Sequence, residues 1–209
     1  MLSGDLSVFI LNALILFIAL PIHEFAHAWS ADFLGDDTPR MYGRLTLNPL
    51  AHLDLMGSLM MVVAGFGWAK PVPINPYVLT RRSPAAVMWV SLAGPLSNFA
   101  QAVVGAILLR LLIVAGLANN IAGMFLQQYL IVNLGLMIFN LIPLAPLDGD
   151  KIADYLMPSS WTRTWEAIRP YGPVILLVLM LVGRTMGIDI LGAIMGPPLR
   201  ALYSLLMGL

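Results

Sequence analysis

The apolar run from Val8 to Ile22 closes on His23-Glu24-Phe25-Ala26-His27. This junction constrains the chain more than any other stretch, because the run is built for lipid and the residues that end it are costly there. On a helix, His23 and His27 lie one turn apart on one face, so both imidazoles can reach a single metal ion. Glu24 lies beside them, where a carboxylate can take a proton from water activated by that ion. The chain has 3 His among 209 residues, and its only glutamates are Glu24 and Glu166. At those frequencies chance gives the H-E-x-x-H spacing roughly 0.0004 times, so chance is a poor explanation. The pattern alone establishes neither the metal nor catalysis.

Composition fixes the solvent. The chain is 59% hydrophobic and only 11% charged, with a mean hydropathy of +0.86. Soluble domains are about a quarter charged; this one cannot cover a globular surface with polar groups, and the partner it expects is a lipid bilayer. A formal net charge of zero argues against nucleic acid as a partner. There is no cysteine, which excludes disulfides and thiolate ligands. A tightly held transition metal must therefore use His, Asp and Glu. The N-terminus has no basic n-region, so no cleavable signal is expected. The reading is one membrane domain over 1–209, all-α and polytopic, with a catalytic core at about 6–152 and C-terminal scaffold helices at about 153–209.

In chain order, Leu6 to about Phe33 reads as a spanning helix, with a tolerated kink at Pro21. Gly35 to Asp54 is polar and holds His52, a hydrogen-bonding or relay group more readily than a third ligand. Leu55 to Gly65 is apolar but too short to span, and reads as re-entrant. Gly65 to Asn75 is punctuated by glycine and proline; an edge strand or hairpin and a plain interfacial loop anchored by Trp68 and Lys70 both fit. Ala85 to about Ala115 and Ile121 to Leu141 are further spans. Asn98 lies within the first of these, where packing is its default role. Arg110 is expected to snorkel to the far interface. Asn140 and Asp148 close the second span behind Pro143 and Pro146, with Asp148 as a cap of the following short helix the alternative to a site role. Pro173 to Met186 and Ile188 to Leu209, the latter broken at Pro197-Pro198, carry no identifiable chemistry. About five to six membrane helices or segments result.

Charge placement tests the motif independently. Arg40, Arg44, Lys70, Arg81, Arg82, Lys151, Arg163 and Arg169 all fall in the cytoplasm by the positive-inside rule if Leu55–Gly65 is re-entrant. His23, His27 and Asp148 then share the cytoplasmic half of the membrane, and Asp148 becomes the preferred third ligand. Two histidines and an aspartate with an open fourth position form a catalytic zinc site, although manganese and iron accept the same donors. Glu24 is the candidate general base. Asn140 is a donor to a developing oxyanion or to substrate backbone, with Asn98 and Asn133 weaker candidates.

These residues resemble the site-2 protease family of intramembrane zinc metalloproteases. His23-Glu-Phe-Ala-His27 matches the family's H-E-x-x-H. Asn140-Leu-Ile-Pro-Leu-Ala-Pro-Leu-Asp148-Gly149 is similar to its N-x-x-P-x-x-x-L-D-G, and Ser91-Leu-Ala-Gly-Pro-Leu-Ser-Asn98 to its third-segment stretch. Gly65 to Pro73 resembles its membrane-embedded β-hairpin. The likeness runs from Leu6 to about Ile152. It implies one zinc ion on His23, His27 and Asp148, Glu24 as catalytic base, and Asn140 on the substrate. It also implies transmembrane protein substrates, held as an added strand along Gly65, Phe66, Gly67 and Trp68. No PDZ or CBS insertion is visible, so gating falls to the membrane helices or to a regulatory membrane partner. The expected location is the plasma membrane of a prokaryote. A metal transporter or channel using the same donors is the main rival, and Glu24 discriminates because transport does not need it. An inactive family member acting as a membrane chaperone finds no support, since every catalytic residue is present.

Overall fold

Long apolar runs with small residues and few charges have one local solution in lipid, the helix, which satisfies every backbone group internally. A computed structural model describes residues 2–64, 68–186 and 189–208, and it is all-helical. Among the described residues, five helical stretches are long and apolar enough to cross a membrane: Leu6–Phe33, Ala86–Val114, Ile121–Asn140, Ser159–Leu181 and Ile190–Met207. Their outward faces are apolar, with Leu14, Phe17, Ile18, Val104, Ile107 and Leu111 all exposed. In water such a surface would be an aggregation hazard; it suits lipid. The chain folds as two compact units, Met1–Ser97 and Asn98–Leu209.

The first unit contains α1 (Leu2–Phe33), α2 (Thr38–Met41), α3 (Pro49–His52), α4 (Leu55–Ala64), α5 (Pro76–Arg82) and the start of α6 (Ala86–Val114). Polar side chains set the short elements. Asn48 caps α3 by accepting from Leu50 N, and Asn75 caps α5 by accepting from Tyr77 N and Val78 N, each followed by proline at the first helical position. Ala31, Leu79, Ala86 and Val90 form a buried core joining α1, α5 and α6. The buried Asp36 carboxylate accepts from Thr38 N at 3.1 Å and from Asn75 N at 2.6 Å. It thereby ties the turn after α1 to the start of α5. At ten residues, α4 is about 15 Å long, half of a hydrocarbon core.

The expected β-hairpin at Gly65 to Pro73 is not what the described residues form. Gly65, Phe66 and Gly67 lie outside them. The remainder holds no strand; it makes one isolated antiparallel bridge, Leu53 to Ala69, with Lys70 N donating to His52 O at 2.8 Å. The pairing is to the α3–α4 connection rather than back on the segment itself. Pro71 and Pro73 explain its brevity, since neither can donate to a ladder. Arg44 braces the same place from beneath, its Nη1 donating to Ala51 O at 2.6 Å and Lys70 O at 3.3 Å.

The second unit contains α6 from Asn98 onward, α7 (Ile121–Asn140), α8 (Asp148–Leu156), α9 (Ser159–Ile168), a 3-10 turn (Arg169–Tyr171), α10 (Gly172–Met186) and α11 (Ile190–Met207). Ala102 and Ala106 of α6 meet Leu130 and Leu134 of α7, with Leu202, Tyr203 and Leu206 of α11 packed against them. Small residues on α6 let the backbones approach closely. A buried polar string runs alongside: Asn98 Nδ2 donates to Asn133 Oδ1 at 3.1 Å, and Tyr129 Oη donates to Gln101 Oε1 at 2.6 Å. One expectation changes here. Pro197 and Pro198 lie inside a continuous α11, because φ near −65° is helical even where the N–H is lost. Arg110 is exposed. Its Nη2 lies at the left-handed Gly208 that ends α11, 2.5 Å from where a Cβ would stand, a favourable place for a cation beside helix carbonyls.

Candidate metal centre

α1 carries His23, Glu24 and His27 on one continuous helix, and all three are buried, at 5%, 9% and 8% exposure. His23 Nε2 and His27 Nε2 stand 3.0 Å apart, with the ring planes at 84°. Two nitrogens bound tetrahedrally to zinc at 2.0–2.1 Å are roughly 3.3 Å apart, so the spacing fits a shared ion. The orientation is fixed from α6. His27 Nδ1 lies 2.7 Å from the Val90 carbonyl oxygen. A carbonyl only accepts, so Nδ1 holds the proton and Nε2 presents its lone pair to the pair's common point. The 3.0 Å contact is then an N–H···N bond donated by His23, and for both Nε2 atoms to hold one cation His23 would carry its proton on Nδ1 instead.

Gly94 completes this part of the site. A Cβ there would overlap His27 Nε2 and stand 2.5 Å from His27 Cε1 and 2.6 Å from His23 Cε1. Glycine is required at that turn because the two imidazoles occupy the space of a side chain. In the sequence Gly94 stands out only as part of the Ser91–Asn98 stretch that resembles the family's third segment. The Val90 carbonyl carried no sequence signal at all.

His52 is buried, with Nε2 2.8 Å from Thr46 O, and so helps shape the loop before α3. Trp68 is exposed, while its backbone lies directly against α4 at Gly57.

In the second unit Asp148 is the first residue of α8 and half-buried, and Leu147 stands at the N-cap position. Gly149 is pressed against the Leu141 and Ile142 carbonyls, where a Cβ would not fit. Asn140, also half-buried, donates through Nδ2 to Leu136 O at 3.0 Å. Asn98 is 0% exposed, and its Nδ2 is committed to Asn133.

The relatives of this chain point the same way. A Bacillus subtilis protein named "Putative zinc metalloprotease YwhC" is 42% identical over 171 residues, covering 79% of this chain and 78% of the relative. This chain belongs to the same family. "Putative zinc metalloprotease Rip2" of Mycobacterium tuberculosis is 32% identical over 170 residues, 78% of this chain and 64% of that protein. Its counterpart in Mycolicibacterium smegmatis is 31% identical over 171 residues. No family model and no solved structure matches the chain. In this chain the imidazole pair offers two nitrogens to one point, held there by the Val90 carbonyl and given room by Gly94.

Proposed function

We propose that this protein is a membrane-embedded zinc endopeptidase of the site-2 protease type, hydrolysing peptide bonds within membrane-spanning segments of other proteins. The observation that carries the reading is the buried His23–His27 pair, nitrogens 3.0 Å apart and beside a buried Glu24, on a helix long and apolar enough to cross a membrane. The relatives' names support the metalloprotease chemistry, and none of those reported above is named as a transporter.

His23, His27 and Asp148 would hold the ion, with the half-buried Asp148 supplied by the first turn of α8. Zinc so bound acts as a Lewis acid and brings the acidity of water into the neutral range. Glu24 follows His23 directly and lies one turn before His27, so its carboxylate serves the same face. It takes one proton from the attacking water and returns it to the amine nitrogen as the peptide C–N bond breaks. Asn140 donates to the developing oxyanion or to substrate backbone. Asn98 serves indirectly, fixing Asn133 on the helix that carries Asn140. The Trp68 segment offers backbone to an unwound substrate as an added strand. The placement of Lys and Arg supports a cytoplasmic-side site, in a bacterial membrane like that of the relatives.

Glu24→Gln should retain one zinc per chain and lose cleavage of a model transmembrane substrate, whereas Asp148→Ala should lower zinc occupancy. Cleavage by Glu24→Gln would remove the assigned base. A wild-type protein without stoichiometric metal, purified in lipid or detergent, would remove the whole reading.

A further inference from the structure

Asp150 follows two residues after Asp148, and its environment differs from that of any other acid in the second unit. It is 3% exposed. Its Oδ1 and Oδ2 accept from Arg169 Nε at 2.9 and 2.8 Å, and Oδ1 also accepts from Trp165 Nε1 at 3.2 Å. The same guanidinium reaches Asp154 Oδ2 through Nη2 at 3.2 Å, one turn further along α8. Three residues on, Gly172 packs against the Ala145 carbonyl so closely that a Cβ has no room. The stretch from Trp165 to Gly172 thus touches the 141–150 loop-and-turn at two points. These points lie on either side of Asp148.

A buried carboxylate holding two charged or indole donors is expensive to maintain unless it fixes something, because each member strands the others if removed. What it fixes is the first turn of α8. Asp148, Gly149 and Asp150 are consecutive residues of one helical turn, so clamping the third sets the position and rotation of the first. Gly149 adds to this, since its close approach to the Leu141 and Ile142 carbonyls allows the turn no alternative seat.

We propose that Arg169 and Trp165 are positioning residues for Asp148, acting through Asp150, so that the segment after residue 157 is part of the metal centre's support and not passive scaffold. This rests on the reading of Asp148 as the third ligand. The cost of losing such support is typically 10–100-fold in metal affinity.

The test is a double-mutant cycle on the full chain in detergent micelles, reading zinc affinity by chelator competition and the visible absorption of the cobalt-substituted protein. Arg169→Gln should weaken zinc at least 10-fold and reduce the intensity of the cobalt bands, with helix content unchanged. Arg169→Lys, which keeps one donor and the charge, should recover part of the loss. In an Asp148→Ala background, Arg169→Gln should have no further effect. An equal loss in that background, or wild-type affinity for Arg169→Gln, would overturn the proposal while leaving Asp148 as a ligand. No loss on Asp148→Ala alone would instead remove the ligand assignment. If Arg169→Gln does not fold, Trp165→Phe deletes a single donor, and zinc affinity and cobalt spectra unchanged from wild type there would equally refute the clamp.

Discussion

Replacing Gly94 with alanine adds a single methyl group and should separate metal binding from folding. By helix propensity the change is favourable by about 1 kcal/mol, since alanine is the better residue inside α6. The methyl carbon, however, would stand 2.5 Å from His27 Cε1 and 2.6 Å from His23 Cε1. Carbon atoms are comfortable at about 3.5–4.0 Å, so the shortfall is about 1 Å against each ring. Neither ring can yield cheaply: His27 is tied to the Val90 carbonyl at 2.7 Å, and His23 meets His27 at 3.0 Å. Overpacking of this kind costs about 1–3 kcal/mol, which the propensity gain partly offsets. The protein should therefore remain folded, with a net loss of about 0–2 kcal/mol.

Zinc binding should suffer far more. Ligands must be held within about 0.5 Å of their working geometry, and disturbing what orients them costs about 10–100-fold in metal affinity. Chelator competition on purified protein should show zinc affinity reduced about that much for Gly94→Ala, with helical circular dichroism intact. Gly105→Ala is the control on the same helix. Its nearest neighbours are Tyr129 Cδ1 at 3.2 Å and Leu130 N at 3.8 Å, and it should bind zinc like the wild type. Zinc affinity within threefold of wild type for Gly94→Ala would refute the claim that the imidazole pair fills the space in front of that glycine.

Two further perturbations separate support from chemistry in the first unit. His52→Ala leaves the Thr46 carbonyl without its buried donor, and should lower stability by about 1–3 kcal/mol while leaving zinc stoichiometry at one; loss of the metal would make His52 a ligand after all. Asp36→Ala strands the amides of Thr38 and Asn75 at about 1–3 kcal/mol each, and limited proteolysis should then cut between residues 68 and 82 faster than in the wild type.

The long helices were legible because the information is local. Spans expected at Leu6–Phe33, Ala85–Ala115 and Ile121–Leu141 appear as Leu2–Phe33, Ala86–Val114 and Ile121–Asn140, since apolar length and caps such as Asn120 on Gly123 N set the bounds. The segment after Gly65 was less legible. Whether an extended, proline-rich stretch closes on itself or bridges elsewhere depends on a partner, and here Ala69 pairs with Leu53. The buried Asp150 carries no motif signal in the sequence. Its importance comes from Arg169, 19 positions away, and no helical or strand period connects them.

The same division runs through the metal centre. α1 supplies the groups that a motif can display, His23, Glu24 and His27. α6 supplies what H-E-x-x-H does not display: the Val90 carbonyl that fixes the His27 tautomer, and the missing side chain at Gly94 that makes room for both rings. A helix carrying H-E-x-x-H alone would have its imidazoles free to adopt several rotamers and either tautomer. The chemistry of α1 therefore depends on a neighbour whose contribution is one backbone oxygen and one absent methyl group. For that reason substitutions on α6 near residues 90–94 should disturb the metal site even though that stretch carries no residue able to bind a metal.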